Sequence, residues 1–319
     1  MSSKSKLQVD IVIPIFNEAG VVDQTHAHVR AVVDSLPHDF KFIYVDDGSS
    51  DGTVDTLRKI ADADPRISLL QLSRNFGHQA ALTAGMDASR GDMVITMDGD
   101  GQHPPEMIPQ MIALIEQGYD IVQAQRIATR DERSISFKKV TSNLFYRLIN
   151  VISGTQVLQG AADFRALSKN ALDGLRSMHE YHRFLRGMIS WMGYASVILP
   201  YHEPERIGGK SKYSLGKMIR LASDAIFSFS LAPLYIGLSA GLGFFVLAAA
   251  QLIYVLTLWL SGQHEKIVPG WSSLMGIMLI ASGIIMILLG FIGVYVGYIF
   301  QEVKHRPIYL VKGENKNGE

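Results

Sequence analysis

The chain reads as an α/β protein with a mainly parallel sheet, followed by interfacial helices and two C-terminal helices that cross a membrane. Three observations predict this. Short apolar runs bounded by Gly, Pro and Asp alternate with helix-length amphipathic stretches as far as Gln125, the pattern of βαβ units. Two runs, Ala225 to Gln263 and Ile267 to Gln301, contain no Asp, Glu, Lys or Arg, and each exceeds the roughly 20 apolar residues that span a bilayer. Basic residues bracket them: Lys217 and Arg220 precede the first run, and Lys304, His305, Arg306 and Lys312 follow the second.

The elements follow in order. Val9 to Ile15 (VDIVIPI) is a buried strand ending in Pro14, Asn17 and Glu18, and a helical pattern runs from about Ala19 to Leu36. Phe40 to Val45 is a second strand. It ends in DDGSSDGT, Asp46 to Thr53, where Gly permits positive φ and Ser and Asp cap the next helix. Ile67 to Leu72 is a third strand, running into SRNFGHQAAL and a helix from about His78 to Ser89. Met93 to Met97 then delivers Asp98 and Asp100 onto a glycine-punctuated turn that Pro104-Pro105 ends, and Tyr119 to Gln125 is a fifth strand. Arg126 to Lys139 is polar and leads into an amphipathic helix bearing Leu144, Phe145, Leu148 and Ile149. Ser214 to Ser228 is basic and amphipathic, suited to lie flat on a membrane surface, and Pro233 turns the chain into the bilayer.

Composition narrows the function classes. Lys+Arg and Asp+Glu are both 30, so no overall charge argues for a nucleic-acid partner. There is no cysteine, which excludes disulfides and thiolate metal sites. MSSKSKLQVD has no apolar core, so no cleavable signal peptide is expected. Between the two runs only Glu265 and Lys266 are charged, and the positive-inside rule places both ends and the large N-terminal domain in the cytoplasm.

Four strand ends carry polar clusters: Asn17/Glu18, Asp46/Asp47, Arg74/Asn75 and Asp98/Asp100. In a parallel sheet these ends share one edge, where ligands of open α/β sheets bind. Asp-x-Asp on such a turn offers hard oxygen ligands for Mg²⁺ or Mn²⁺ that leave coordination positions for substrate phosphates. An isolated acidic turn would be unremarked, but four convergent clusters are hard to explain as solvation. Neither G-x-G-x-x-G nor G-x-x-x-x-G-K-[ST] is present, so no glycine-rich phosphate cradle is expected.

PIFNE, VDDGSSDGT, SRNFGHQAALTAG and DGDGQHPPE together resemble the GT-A fold of family 2 inverting glycosyltransferases. GAADFRALSK (Gly160 to Lys169) and the two spans narrow the resemblance to polyprenyl-phosphate glycosyltransferases, a group that includes dolichol-phosphate mannose synthases and bactoprenol glucosyltransferases. It covers nearly the whole chain. It implies that Pro14, Glu18 and Asp46 or Asp47 bind the nucleoside of a nucleotide sugar, with Asp98 and Gln102 at its diphosphate. Asn17 is placed with them, and Arg74 is either a contact to the nucleotide phosphates or a surface or helix-capping arginine. Asp98, Asp100 and Gln102 would surround the Mg²⁺ or Mn²⁺ and the donor diphosphate, and Asp163 and Asp100 are the catalytic candidates. Asp163 matches the position usually called the base. A phosphate monoester acceptor, however, has a second pKa of about 6 and is mostly dianionic at neutral pH, so Asp163 is expected to orient a sugar hydroxyl or the acceptor. Arg126 and the R-x-x-G-x-S-K-Y pattern, with Arg206, Lys210, Lys212 and Tyr213, would meet the lipid phosphate. The chain departs from the family at Gly99 and Gly101, where D-A-D-L-Q is more common.

The expected activity is inverting transfer of one sugar, glucose from UDP-glucose by the overall layout, to undecaprenyl phosphate at the cytoplasmic face of the inner membrane. The expected divisions are a glycosyltransferase domain over 1–205, a basic juxtamembrane segment over 206–229, two membrane helices over 230–302 and a tail over 303–319. A processive polysaccharide synthase is disfavoured because Q-x-x-R-W is absent (the nearest string is RGMISW) and two spans are few for a polymer channel. Intact Asp98, Asp100, Gln102 and Asp163 argue against an inactive membrane scaffold. Gly237, Gly241 and Gly243 would permit close helix approach and homo-oligomers.

Overall fold

A computed structural model describes residues 6–127, 161–202, 232–262 and 270–316. The chain divides into two units, Met1–Ala222 with Arg306–Glu319, and Ser223–His305.

In the first unit, β1 (Gln8–Ile15), α1 (Val22–Val33), β2 (Asp39–Asp46), α2 (Thr53–Ala63), β3 (Ile67–Leu72), α3 (His78–Ala88) and β4 (Met93–Thr96) follow the predicted alternation. A 3₁₀ turn (Pro105–Met107), α4 (Ile108–Glu116), β5 (Ile121–Arg126), β6 (Ala161–Ser168), α5 (Lys169–Arg176), α6 (Leu185–Trp191), β7 (Ser196–Tyr201) and, after the second unit, β8 (Val311–Lys316) complete it. The strands form one sheet in the order β7-β5-β6-β4-β1-β2-β3-β8. β1 pairs parallel with β2 and β4, β2 with β3, and β5 with β7, whereas β6 runs antiparallel between β4 and β5 and β8 antiparallel along β3.

β6, β7 and β8 go beyond the five strands that the apolar runs predict. β6 carries Asp163 and Arg165 within its span, and β8 reads VKGENK, so neither is an apolar run; each is a strand because a ladder partner lies beside it. The expected tail over 303–319 thus contains a sheet strand, and residues 306–319 group with the first unit.

The core explains the placement of two odd residues. Val9, Ile11, Val12, Ile13 and Ile15 are buried, as a strand covered on both faces requires. Pro14 nevertheless sits in this central strand. Backbone groups of even-numbered residues face β4, since Asp92 and Met97 N–H donate to the Gln8 and Val12 carbonyls, and β4 ends at Thr96. The missing Pro14 N–H therefore falls beyond the neighbour it would have joined. Asp10, fully buried, accepts Ser89 Oγ at 2.7 Å and the Arg90 and Gly91 N–H groups at 2.6 and 2.9 Å, pinning the α3–β4 connection.

In the second unit, α7 (Ala232–Leu260) and α8 (Trp271–Val303) contain the stretches Gly237–Leu260 and Gly276–Val303, long and apolar enough to cross a membrane. None of the most apolar window of either is buried within the structure. Phe245 and Met286, for instance, are 71% and 69% exposed, which suits helices in lipid and not the core of a soluble domain. The two helices contact each other, and a Cβ at Gly237 would run into Leu288 Cδ2, whereas one at Gly241 or Gly243 would meet nothing within 4 Å.

Candidate active site

The parallel register brings the strand ends level. Ile15 lies opposite Asp46, Asp46 opposite Gln71, and Asp98 stands two residues beyond the end of β4. The four clusters read from the sequence therefore stand along one edge.

Two of the expected ligand residues also hold the loops together. Asn17 has a left-handed φ of 54°, which Asn tolerates better than most residues. Its N–H donates to Ser49 Oγ at 2.9 Å and its Oδ1 accepts the Ser50 N–H at 2.8 Å. Asp47 accepts the Phe76 and Gly77 N–H groups on its two oxygens, at 2.7 and 2.9 Å, and burial pushes its carboxyl up. Asn17 thus stitches the β1 loop to the β2 loop, and Asp47 fastens loop 73–77. Asp46, also buried, accepts the Ser49 N–H, and the Glu18 N–H donates to Thr53 Oγ1. Pro14 is buried in β1 and makes the strand end rigid. Arg74 is exposed, its guanidinium 4.1 Å from the centroid of the Phe76 ring.

The acidic turn accounts for its two glycines. Gly101 has φ +77°, a conformation that side chains resist, and this lets the Gln102 N–H return to Asp100 Oδ1 at 3.1 Å. At Gly99 a Cβ would collide with Ile15 Cδ1, so in this chain Ile15 fills the space an alanine methyl would take. His103, 5% exposed, buttresses the turn from below. Its Nδ1 accepts the Asp98 N–H at 2.8 Å and its ring stacks on Phe164 at 4.9 Å. That hydrogen bond fixes the tautomer with the proton on Nε2 in the neutral ring, and Nε2 faces Asp98 Oδ2 at 3.6 Å.

β6 supplies the other half. Because it runs antiparallel to β4, its first residues stand where β4 ends: Thr96 pairs with Arg165, and Thr96 Oγ1 donates to the Asp163 carbonyl at 2.8 Å. Asp163 is buried in a nest of cations. Arg186 makes a fork to it, Nε to Oδ1 at 3.2 Å and Nη2 to Oδ2 at 3.0 Å. Arg165 Nη2 donates to Oδ1, Gln79 Nε2 donates to Oδ2 at 3.3 Å, and His78 Nε2 lies 3.3 Å from Oδ2. Burial alone would raise this carboxyl, but Arg186, His78 and Arg165 outweigh it and hold it well below the usual carboxylate range. Conversely, desolvation lowers His78, but Asp98 and Asp163 overcome it and push the imidazole up to about 9. His78 Nε2 also lies 3.4 Å from Asp98 Oδ1, so one imidazole joins the acidic turn to Asp163.

A divalent cation fits this turn. Asp98 Oδ1 is buried and accepts no hydrogen bond; it faces the His78 imidazole at 3.4 Å and, as a hard carboxylate oxygen, can take a divalent cation beside it. Among the described residues no group of three or more His, Asp or Glu side chains could cage a metal alone. A cation on Asp98 and Asp100 would therefore keep positions for ligands from a substrate.

His78, Gln79, His103, Arg165 and Arg186 surround Asp98 and Asp163, and sequence reasoning did not assign them. The first four lie inside the motifs FGHQ, DGQHPPE and GAADFR, so their signal was present as neighbours of assigned residues. Arg186, in RFLRGMISW, had none. Arg126 stands exposed at the end of β5, on the same edge as Asp98. Arg206, Lys210, Lys212 and Tyr213, with Ser214 to Ser228 and most of Arg126 to Lys139, lie outside the described residues.

The sequence matches the family model for glycosyl transferase family 2 over residues 10–176. It is 36% identical over 307 residues to an uncharacterized glycosyltransferase, YkcC, of Bacillus subtilis, covering 96% of this chain and 94% of that protein. It is 34% identical over 316 residues to the bactoprenol glucosyl transferase of Shigella phage SfV, covering 97% of this chain and all of that protein. Among solved structures, a mannosyltransferase from Pyrobaculum calidifontis, in complex with GDP-Man and Mn²⁺, superposes with a TM-score of 0.48 at 15% identity, covering 90% of this chain and 88% of that one.

Proposed function

The chain belongs to glycosyl transferase family 2 and is a glycosyltransferase, and from that premise we propose that it moves one sugar, glucose from UDP-glucose, onto the phosphate of undecaprenyl phosphate. The reaction inverts the anomeric carbon and takes place at the cytoplasmic face of the inner membrane. The observation that carries this reading is full-length likeness to a protein named bactoprenol glucosyl transferase, membrane helices included.

In the proposed reaction an acceptor phosphate oxygen forms a bond to the anomeric carbon as the bond to the nucleoside diphosphate breaks and the diphosphate leaves with the electron pair. No proton need move, because a phosphate monoester with a pKa of about 6 is already mostly dianionic. This agrees with the cationic nest around Asp163, whose carboxylate is too weakly basic to be a good proton acceptor at neutral pH. Its role is then to hold Arg186, Arg165 and His78 in place around the reacting groups. Mg²⁺ or Mn²⁺ on Asp98 and Asp100, with Gln102 beside them, would neutralise charge on the leaving diphosphate. Pro14, Asn17, Glu18, Asp46, Asp47 and Arg74 remain the residues assigned to the nucleoside and its phosphates, and Arg126, Arg206, Lys210, Lys212 and Tyr213 to the lipid phosphate.

Topology supports the cytoplasmic assignment. Two crossings return the chain to the side it left, as a β8 strand in the same sheet as β1 requires, and the flanking Lys and Arg make that side the inner one. The test is a panel of UDP- and GDP-sugars offered to the purified protein with undecaprenyl phosphate and Mg²⁺ or Mn²⁺. One glucose on lipid supports the proposal; a different sugar corrects the donor, a growing chain favours a processive synthase, and no transfer with any donor favours a scaffold.

A further inference from the structure

The segment that follows α8 touches the catalytic unit at both ends of one stretch, loop 73–77 together with α3. Ser73 N–H donates to the Leu310 carbonyl at 2.8 Å, one residue beyond the β3–β8 ladder, whose register shifts between Gln71 and Leu72. Tyr309, immediately before, donates its hydroxyl to Asp87 Oδ2 at 3.1 Å. Ser73 opens loop 73–77, and Asp87 sits in the last turn of α3, the helix that loop leads into. Burial pushes the Tyr309 phenol up to about 12, with Asp87 adding to it, so it stays a proton donor through the physiological range.

What lies between these two anchors is the site. Loop 73–77 holds Arg74 and Phe76, and α3 opens with His78 and Gln79, both directed at Asp163. The loop has little slack. Asp47 holds its far end through the Phe76 and Gly77 N–H groups. On its underside, a Cβ at Gly48 would lie 2.6 Å from the Arg74 carbonyl carbon and 2.7 Å from the Asn75 nitrogen, so the β2 turn is in backbone contact with it. Asp47 and Gly48 support the loop from the sheet side, and Leu310 supplies the fastening at its first residue.

We propose that Tyr309 and Leu310 are positioning residues for the donor site: the strand-forming segment after the second membrane helix sets the pose of loop 73–77 and α3. The residues that follow the membrane helix are then a working part of the catalytic unit and not a solvent tail. This rests on the reading that loop 73–77 meets the nucleotide sugar. A misplacement of about 1 Å in a site can cost on the order of 100-fold in rate, so loss of one anchor is expected to register.

Two point variants of the full-length protein, Tyr309→Phe and Arg74→Ala, and a chain ended at Ile308 that keeps both membrane helices, all in detergent, decide the matter. The readouts are KM for the nucleotide sugar and for undecaprenyl phosphate, together with amide hydrogen exchange at residues 73–77. For the shortened chain the proposal expects a rise of about tenfold in donor KM, with acceptor KM unchanged, and faster exchange at 73–77 against unchanged exchange in β1. Tyr309→Phe, which leaves the ladder in place, should do the same by about threefold, and it carries the test if the shortened chain does not fold. If Arg74→Ala raises donor KM but Tyr309→Phe changes neither donor KM nor exchange at 73–77, the positioning role is wrong. If Arg74→Ala leaves donor KM unchanged, the donor assignment of the loop fails and the proposal with it. A fall in activity that tracks melting temperature, with donor and acceptor KM moving together, also overturns it in favour of a purely structural strand.

Discussion

Asp163→Asn offers the sharpest test of how the site is held together. The substitution keeps shape and removes a charge that faces Arg165, Arg186 and His78. Arg165 is 2% exposed, so it cannot recover its loss by hydration. Taking one partner from a buried ion pair costs about 3–5 kcal/mol. Here the lower end is expected, about 3 kcal/mol, because Arg186 is 24% exposed and the new amide oxygen can still accept one hydrogen bond. For a domain of this size each kcal/mol moves the melting temperature by roughly 2–4 °C, so the variant should melt about 6–12 °C lower. Circular dichroism of the detergent-solubilised protein measures this. The companion measurement is Asp163→Asn with Arg165→Met: removing both members of the pair should recover about 1–3 kcal/mol relative to additivity. Transfer should fall by about 10²–10³-fold in the single variant, as when a charge-stabilising group is lost. A single variant melting within a degree or two of the parent, or a double variant that is simply additive, would refute the cationic-nest account.

Three further outcomes are expected. Chelation should abolish sugar transfer and added Mg²⁺ or Mn²⁺ restore it, whereas Asp100→Asn should lose on the order of 10²-fold in rate and respond weakly to metal; undiminished transfer by that variant would remove Asp100 from the metal site. Gly101→Ala should destabilise by about 1–2 kcal/mol because of its φ of +77°, while Gly99→Ala should be rescued by Ile15→Val, which clears the colliding methyl, and a melting series distinguishes the two causes. Below pH 4 the protein should lose stability through Asp64 and Asp34, whose carboxyls hydrogen bonds and charge from Arg66 hold below their ordinary value. A lowered folded pKa gives stability that is present above the unfolded pKa and is lost as pH falls through the folded one. Arg66→Gln should therefore raise the pH of acid unfolding, and an unchanged acid limb would show that Arg66 does not hold these carboxyls down.

The sequence by itself determined the alternation of strands and helices, the two spans and the clustering of polar residues at one sheet edge. These are legible because burial on both faces leaves an apolar run, and because a parallel sheet puts every strand's end on one side whatever the order of strands. It also located the acidic turn and Asp163, since Asp-x-Asp and GAADFR are local strings. Only the tertiary structure decided what these residues face. Asn17 and Asp47 are polar strand-end residues whose side chains accept N–H groups of neighbouring loops, a matter of which backbone groups fold back towards them. Arg186 and Asp163 are far apart in sequence and meet through α6 and an antiparallel β6, and no periodicity announces such a contact. The same holds for β8: VKGENK has no strand pattern, and it becomes one because the open edge of β3 has unpaired backbone groups to offer it.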